Sequence, residues 1–258
     1  MKVVILAGGY GTRLGEISRT IPKPMVDIGG KPIIWHIMKI YSYYGFNDFI
    51  ICTGYKSDII KDYFLNYNTK TNDFTIDYSN NSIEMHTNYC EKDWKVTLAY
   101  TGLDTLKGGR LKKIERYLDD DMNFLTYGDG VADINILELL EFHKENKKVV
   151  TISGVHPPAR FGELKCDGNI LSSFEEKPQT SQGLINGGFM VFNKELLSYL
   201  TEDDDCDLEH DTFEKMAKEE KIAVYKHKGI WSCMDNERDI AHLNNLWKEK
   251  RAFWKKWE

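Results

Sequence analysis

The sequence has little of what would crosslink a chain or anchor it in a membrane. It has only five cysteines, an odd number, and they form no CxxC motif or Cys/His cluster with zinc spacing. We therefore expect free thiols, with neither a disulfide framework nor a structural zinc site. No apolar run approaches the ~18–20 residues that a transmembrane helix needs. The segment from Met1 to Ala7 has no apolar region of secretory length and no cleavage site, so we expect a cytoplasmic protein without a membrane partner.

The chain also lacks an excess of positive charge. Its 34 Lys and Arg residues stand against 40 Asp and Glu residues, which gives a formal net charge of −6. This balance argues against a broad nucleic-acid-binding surface, whereas one locally positive site could still bind a small anion. Hydrophobic residues make up 41% of the 258 residues and aromatic residues 12%, so the chain can build a core and is not mainly disordered.

Strand-like and helix-like segments alternate along most of the chain. Residues 2–7 form a continuous apolar run, typical of a strand buried on both faces of a parallel sheet, and residues 32–44 carry apolar side chains at helical spacing. Residues 72–101 instead predict short alternating strands. The chain has six prolines and no Pro- or Gly-rich linker. We therefore predict one domain over residues 1–258, with an open, mostly parallel, Rossmann-like α/β sheet, helices on both faces and a small antiparallel insertion at 72–101.

Residues 247–258 form an aromatic C-terminal tail. Trp247, Phe253, Trp254 and Trp257 lie there among lysines and an arginine, in a segment too short to bury them alone. Two interpretations stay open. The tail packs on the core of its own chain, or it contacts another subunit, since exposed apolar patches mark interfaces.

Ligands of open α/β sheets bind beyond the carboxyl ends of the strands, and the loop after the first predicted strand is rich in glycine. Its sequence, LAGGYGTRL, has Leu14 where a dinucleotide-binding fingerprint needs glycine, and it ends Gly11-Thr12-Arg13 where a Walker A loop needs Gly-Lys-Ser/Thr. The glycines let backbone N–H groups approach phosphate oxygens, and Arg13 adds a bidentate donor. We therefore favour a phosphate-binding loop over a tight turn that only requires positive φ.

Other charged and polar residues lie in loops that follow or precede predicted strands. Asp129 stands between two glycines after strand 123–127, and Asp235 lies in another such loop. Carboxylates there suit a hard cation such as Mg²⁺, although an Asp-Gly turn is the common alternative. Asn186 could present its amide to sugar hydroxyls or belong to a glycine-rich turn. Lys23 lies on stiff backbone between two prolines and by itself indicates only an exposed lysine.

Six motifs occur in order along the chain: LAGGYGTRL, IPKPMV, YGDG, EEKP, INGG and WSCMDN. In this order they resemble the sugar-1-phosphate nucleotidylyltransferases. The longer stretches GGKPIIWHIMKIYS, TYGDGVAD and INGGFMVF resemble the branch of that family that uses CTP. The resemblance covers essentially the whole chain. It implies an enzyme that transfers the cytidylyl group of CTP to glucose 1-phosphate and releases pyrophosphate, with Mg²⁺ as cofactor, in a homo-oligomer such as a hexamer.

The resemblance also implies roles for individual positions. It assigns to the nucleotide Leu6, Ala7, Gly8, Gly9, Tyr10, Gly11, Thr12, Arg13, Lys23, Thr105, Arg110 and Gly128. It assigns to the sugar phosphate Glu176, Lys177, Asn186 and Gly187, and to Mg²⁺ Asp129 and Asp235. The implied catalytic residues are Arg13, Lys23, Asp129, Lys177 and Asp235.

Some positions depart from the family pattern. Gly130 follows the strand-end aspartate where Asn or Ser is common, and residues 206–213 lack an expected Trp-Glu pair and a later Pro, which leaves the contacts of Glu209 open. Arg110 has donors that fit the O2 and N3 atoms of cytosine, or it caps a helix or binds phosphate. Two other functions stay open: the same transfer from dTTP or UTP, and nucleotide or sugar binding without turnover.

Overall fold

The protein is built around a seven-stranded sheet. A computed structural model describes residues 1–86, 91, 93–157, 163–167, 170–175 and 183–257. The strands are β1 Val3–Leu6, β2 Asp27–Ile28, β3 Lys31–Pro32, β4 Asp48–Thr53, β5 Phe74–Asp77, β6 Ser82–Met85, β7 Lys95–Tyr100, β8 Met122–Tyr127, β9 Gly130–Ala132, β10 Val150–Val155, β11 Glu163–Asp167, β12 Ile170–Glu175, β13 Ile185–Asn193, β14 Ile222–Lys226 and β15 Trp231–Cys233.

Most neighbours in the main sheet are parallel. Its order is β14-β10-β13-β8-β1-β4-β7. The pairs β1–β4, β1–β8, β4–β7 and β10–β14 are parallel, whereas β13 runs antiparallel to both of its neighbours. The predicted open, mostly parallel mixed sheet is therefore confirmed. Because β13 is reversed, its first residues lie at the edge where the parallel strands end.

Helices cover both faces of the sheet. They are α1 Glu16–Thr20, α2 Ile33–Tyr43, α3 Ser57–Leu65, α4 Tyr67–Thr71, α5 Lys107–Lys113, α6 Ile136–Asn146, α7 Glu214–Lys218 and α8 Glu237–Lys248. Side chains alternate along a strand, so Val3 and Ile5 of β1 enter one hydrophobic core with Ile37, while Val4 enters a second core with Leu111. An apolar run such as β1 is stable only with cover on both faces. Among the described residues, no helix is long and apolar enough to span a membrane.

Residues 72–101 divide between two locations. β5 and β6 form the expected antiparallel hairpin outside the main sheet. β7, in contrast, joins the main sheet as a parallel edge strand beside β4, which corrects the prediction that 72–101 is wholly an antiparallel insertion. Its alternating apolar residues Val96 and Leu98 pack on one core, because an edge strand buries one face more than the other. An alternating pattern alone does not distinguish such a strand from a separate hairpin.

The cysteines that the structure describes agree with the expectation of free thiols. Cys52, Cys206 and Cys233 are not in disulfides. Cys90 and the side chain of Cys166 lie outside the described residues.

The aromatic C-terminal tail packs on the core of its own chain. Trp254 is 1% exposed, and its indole Nε1 donates to Nδ1 of His36 at 3.2 Å. The ring of Trp247 lies 4.7 Å from the ring of His36, edge to face. Because Nδ1 accepts from Trp254, Nε2 of His36 carries the hydrogen and donates to the carbonyl of Ile28 at 2.8 Å. The tail thus closes over a neutral, fully bonded histidine of α2.

This buried histidine makes stability depend on pH. Burial lowers the pKa of His36 from 6.5 to about 4. A group whose pKa is lower in the folded than in the unfolded protein contributes stability that is present above the unfolded pKa and is lost as the pH falls through the folded pKa. We therefore expect the free energy of unfolding to fall between pH 6.5 and 4. The free energy of unfolding of His36→Gln, measured by urea unfolding at several pH values, should change less with pH over this range than that of the wild-type protein.

His242→Gln is the matched control for this measurement, because His242 is exposed on α8. We expect its free energy of unfolding to change with pH as much as that of the wild-type protein. Equal slopes for the wild type and His36→Gln would contradict the assignment of a neutral His36 in the core.

Candidate active site

A cavity of about 500 Å³ opens at the carboxyl ends of β1 and β8. The start of the reversed strand β13 and the end of β15 complete its wall. It is lined by Leu6, Ala7, Gly8, Gly9, Gly11, Thr12, Arg13, Lys23, Pro24, Thr105, Leu106, Lys107, Arg110, Tyr127, Gly128, Asp129, Asn186, Asp207, Trp231, Cys233 and Asp235. The cavity therefore lies where the rule for open α/β sheets expects a ligand.

Most of the predicted site residues line this one cavity. Tyr10 and Gly187 lie beside the lining instead: the hydroxyl of Tyr10 donates to Asp104 at 2.5 Å, and the carbonyl of Gly187 accepts from Trp231 Nε1 at 2.8 Å. Glu176 and Lys177 lie outside the described residues.

The sequence indicates no individual role for several lining residues: Pro24, Leu106, Lys107, Tyr127, Asp207, Trp231 and Cys233. Tyr127 directly precedes Gly128-Asp129, and Lys107 directly precedes Gly108-Gly109-Arg110, so adjacency to a predicted motif was the available signal.

Two glycines of the first loop are required by its shape. Gly11 precedes the short 3-10 helix Thr12–Leu14 and has a φ of 65°, a backbone conformation that residues with a side chain rarely adopt. A Cβ atom on Gly8 would lie 2.2 Å from Nη1 of Arg110. The loop therefore presents bare backbone to the cavity on one side and to a buried arginine on the other.

Arg110 holds the ends of three strands together. It is 4% exposed. Its two terminal nitrogens donate to the carbonyls of Gly8 at 3.0 Å, Thr53 at 3.3 Å, Gly102 at 2.7 Å and Leu103 at 3.1 Å, and to the hydroxyl of Thr101 at 2.8 Å. Burial lowers the pKa of the guanidinium from its ordinary value. These bonds link the loops after β1 and β7 to the end of β4, so Arg110 shapes the cavity. Its contact with a cytosine base stays a prediction.

Opposite charges converge at the other end of the cavity. Nζ of Lys23 lies 2.6 Å from Oδ2 of Asp129 and 2.6 Å from Oδ1 of Asp235. Nη1 of Arg13 lies 2.9 Å from Oδ2 of Asp235. Lys23 begins a 3-10 turn after Pro22, Asp129 follows β8, and Asp235 follows β15. Three distant segments thus direct charged groups to one point.

Two of these groups, Lys23 and Asp235, stabilise each other's charged forms. Burial by itself would lower the pKa of Lys23, but Asp129 and Asp235 outweigh it and raise the pKa above its ordinary value. Burial would raise the pKa of Asp235, but Lys23 and then Arg13 outweigh it and lower the pKa. The cluster therefore consists of two cations and two carboxylates.

The two carboxylates fit a divalent cation that is bound together with a ligand. Asp129 and Asp235 share one cationic partner, so a single cation can contact both. Within the described ranges, no group of three or more His, Cys, Asp or Glu residues could hold a metal ion. Mg²⁺ commonly uses one or two carboxylates and completes its coordination with waters and substrate phosphates. Asp129 and Asp235 supply the two carboxylates of such a site, and the remaining ligands would come from water and substrate.

The thiol and one of the hydroxyls in the cavity are not activated as nucleophiles. Burial, with the nearby charges of Asp235 and Asp129, raises the pKa of Cys233 to about 12, so its thiol stays protonated. Thr105 donates its hydroxyl to Asp204. Bonds from Lys113 and Thr105 lower the pKa of Asp204, which makes this carboxylate a weak base. The cavity instead offers fixed charges and backbone donors.

Known proteins resemble this chain in both sequence and fold. Residues 2–254 match the family model of the nucleotidyl transferases. The chain belongs to the nucleotidyl transferase family. The match covers the whole cavity, which confirms the family that the six ordered motifs indicate.

Within the nucleotidyl transferase family, the most informative relatives match from end to end. The chain is 46% identical over 259 residues to the glucose-1-phosphate cytidylyltransferase of Salmonella typhi, and all of both chains is covered. It is 41% identical over 257 residues to the probable glucose-1-phosphate cytidylyltransferase of Bacillus subtilis, again with all of both chains covered. Among solved structures, HddC from Yersinia pseudotuberculosis, complexed with GMP-PN, superposes with a TM-score of 0.69 at 25% identity, covering 95% of this chain and 99% of that one.

The position of Lys23 leads to a prediction about metal binding. The ammonium occupies the point that a cation would take between Asp129 and Asp235. Without it, two like charges face each other, which favours a bound cation. We expect Lys23→Met to bind Mn²⁺, without any nucleotide, about tenfold more tightly than wild type, as for a gain of about 1.4 kcal/mol. Electron paramagnetic resonance of free Mn²⁺ measures this affinity.

Two further variants make the result specific. Lys107→Met also removes a lining lysine, but one bonded to Glu209, and should leave Mn²⁺ affinity unchanged. The double variant Lys23→Met/Asp235→Asn should lose the gain. If Lys23→Met binds Mn²⁺ no better than the wild type, Lys23 does not compete with a metal at these carboxylates.

Proposed function

We propose that the protein transfers the cytidylyl group of CTP to α-D-glucose 1-phosphate, giving CDP-glucose and pyrophosphate. The convergence of Arg13, Lys23, Asp129 and Asp235 at one end of a glycine-lined cavity carries this proposal. A site for two polyanionic substrates requires cations and backbone donors, and this cavity has both. The choice of CTP and glucose 1-phosphate is supported by the two full-length relatives whose names include these activities.

We propose a distinct place in the cavity for each part of the substrates. Backbone N–H groups of the loop from Gly8 to Thr12, with the cations of Arg13 and Lys23, would hold the triphosphate. The base would lie toward the segment from Thr105 to Arg110, which lines the cavity next to Gly8. The sugar phosphate would lie on the side of Asn186, with Glu176 and Lys177 proposed as further contacts.

The chemistry is a single displacement at the α-phosphorus of CTP. An oxygen of the sugar phosphate forms a bond to that phosphorus, and the bond to the bridging oxygen of the β-phosphate breaks, so pyrophosphate leaves. A phosphate monoester has a second pKa near ~6 and is largely ionised at neutral pH. No general base is needed. The protein contributes by positioning two anions and stabilising the charge that develops between them.

Asp129 and Asp235 are the proposed ligands of the cation, which we propose to be Mg²⁺. When bound, this ion supplies neutralisation of phosphate charge and assists the departure of pyrophosphate. Arg13 and Lys23 would bind phosphate oxygens of CTP from the protein side. We also propose that the chain works in the cytoplasm as a homo-oligomer, a hexamer by resemblance, without nucleic acid.

A direct assay tests this proposal. Pyrophosphate release is measured with glucose 1-phosphate and each of CTP, UTP, dTTP and GTP. A pocket built on hydrogen bonds to one base leaves buried groups unpaired with another, so we expect CTP to exceed each of the others by at least about a hundredfold in kcat/KM. Faster release with dTTP or UTP would reassign the nucleotide. Tight nucleotide binding with no release from any of the four would identify a binding protein without turnover.

A further inference from the structure

Three polar contacts cross the cavity from the side of α5 to the start of β13. Nζ of Lys107 lies 2.6 Å from Oε1 of Glu209. The hydroxyl of Tyr127 donates to the same Oε1 at 2.6 Å. Nδ2 of Asn186 donates to the Tyr127 oxygen at 2.9 Å. Lys107, Tyr127 and Asn186 all line the cavity, and Glu209 joins them from behind.

The charge on Glu209 sets the direction of these bonds. An ionised carboxylate only accepts hydrogen bonds, so the Tyr127 hydroxyl must give its single hydrogen to Glu209. Its oxygen is then free to accept from Asn186. The amide of Asn186 is held from its other end as well, because its Oδ1 accepts from the backbone N–H of Gly188 at 2.9 Å. One N–H of this amide is thus used by Tyr127, and the second has no hydrogen-bond partner among the residues that the structure describes, so it can serve a ligand.

The backbone around Glu209 is fixed by an unusual turn. Residues Leu208–Phe213 form one turn of π-helix, a geometry that is rare and occurs frequently at functional sites. Asp207 caps this turn, and its carboxylate accepts from the backbone N–H of Glu209 at 2.7 Å and of His210 at 2.9 Å. The turn therefore holds Glu209 at a set distance from Tyr127.

The segment that leads into the π-helix packs on α5, on the proposed nucleotide side of the cavity. Gly109 of α5 donates its backbone N–H to the carbonyl of Cys206 at 3.1 Å. A Cβ on Gly108 would lie 2.8 Å from that same carbonyl oxygen, so only glycine permits this approach. The close contact brings Lys107, at the start of α5, within reach of Glu209. The ring of Tyr127 lies 4.9 Å from the Lys107 ammonium, which adds a cation–π contact.

We propose that Glu209 is a positioning residue for the sugar-phosphate side of the cavity: through the Tyr127 hydroxyl it fixes the amide of Asn186 in the orientation that binds the substrate. This inference rests on the proposed function, in which Asn186 contacts glucose 1-phosphate. Glu209 itself does not line the cavity. Because Glu209 acts through Tyr127 on Asn186, we expect its effect mainly in the use of the sugar phosphate, and less in the use of CTP.

Steady-state kinetics of four variants test the proposal. Glu209→Ala removes the acceptor of the Tyr127 hydroxyl, and Tyr127→Phe removes the hydroxyl itself. Each should raise KM for glucose 1-phosphate about fivefold to tenfold, as for one lost hydrogen bond, with KM for CTP within about twofold of wild type. Because both act through one chain of bonds, the double variant should be no worse than Tyr127→Phe alone. Glu209→Gln keeps an accepting oxygen and should restore most of the affinity.

Asp211→Ala is the matched control, since it removes an exposed carboxylate from the same π-helical turn. It should leave both KM values unchanged. An unchanged KM for glucose 1-phosphate in Glu209→Ala, an equal rise for both substrates, or additive effects in the double variant would overturn the role of Glu209. Absence of turnover in the wild-type protein with CTP and glucose 1-phosphate would instead overturn the proposed function, and the proposed role of Glu209 with it.

Discussion

The cavity depends on one ammonium group held between two carboxylates. Lys23 contacts Asp129 and Asp235 at the same distance of 2.6 Å, in a partly buried place where unpaired charges are costly. If the ammonium were removed with nothing in its place, the two carboxylates would repel each other. The arrangement is therefore stable only with a cation between Asp129 and Asp235. A lysine supplies that cation in the free protein, on a backbone that Pro22 and Pro24 make stiff.

The topology of the sheet explains why such different groups meet at this edge. Parallel strands β1 and β8 deliver the glycine loop and Asp129 from their carboxyl ends. The reversed strand β13 delivers Asn186 from its amino end, so a donor amide faces the same cavity. Arg110 then joins the loops after β1 and β7 to the end of β4 through backbone carbonyls. The positively charged loop and the amide on the opposite wall are consequences of strand direction as much as of residue type.

Local patterns predicted the parts of this structure whose cause is local. Residues 2–7 are apolar throughout because β1 is covered on both faces, and the glycines after it are required by close approach and positive φ. The sequence predicted Asp129 and Asp235 because each lies in a loop that follows the end of a strand. β7 was misassigned, since an edge strand and a separate hairpin strand show the same alternation of side chains.

Other features have no local signal. Lys23 is 106 residues from Asp129 and 212 from Asp235, so the sequence suggested an exposed lysine where the fold forms a salt-bridge cluster. The bonds from Glu209 to Tyr127 and Lys107 likewise join distant segments, and the π-helix that holds Glu209 has no periodic signature in a six-residue stretch. The tail around Trp254 left two packings open because its partner, His36, lies on α2.

In the proposed reaction, this cavity acts through placed charge and not through a nucleophile of the protein. The stereochemistry at the α-phosphorus tests it most directly. CTP carrying sulfur in place of one non-bridging α-oxygen, as a single diastereomer, is converted with glucose 1-phosphate, and the configuration of the product is determined by phosphorus NMR. One in-line displacement inverts the configuration, so we expect inversion. Retention would require two displacements through a covalent enzyme intermediate and would contradict it.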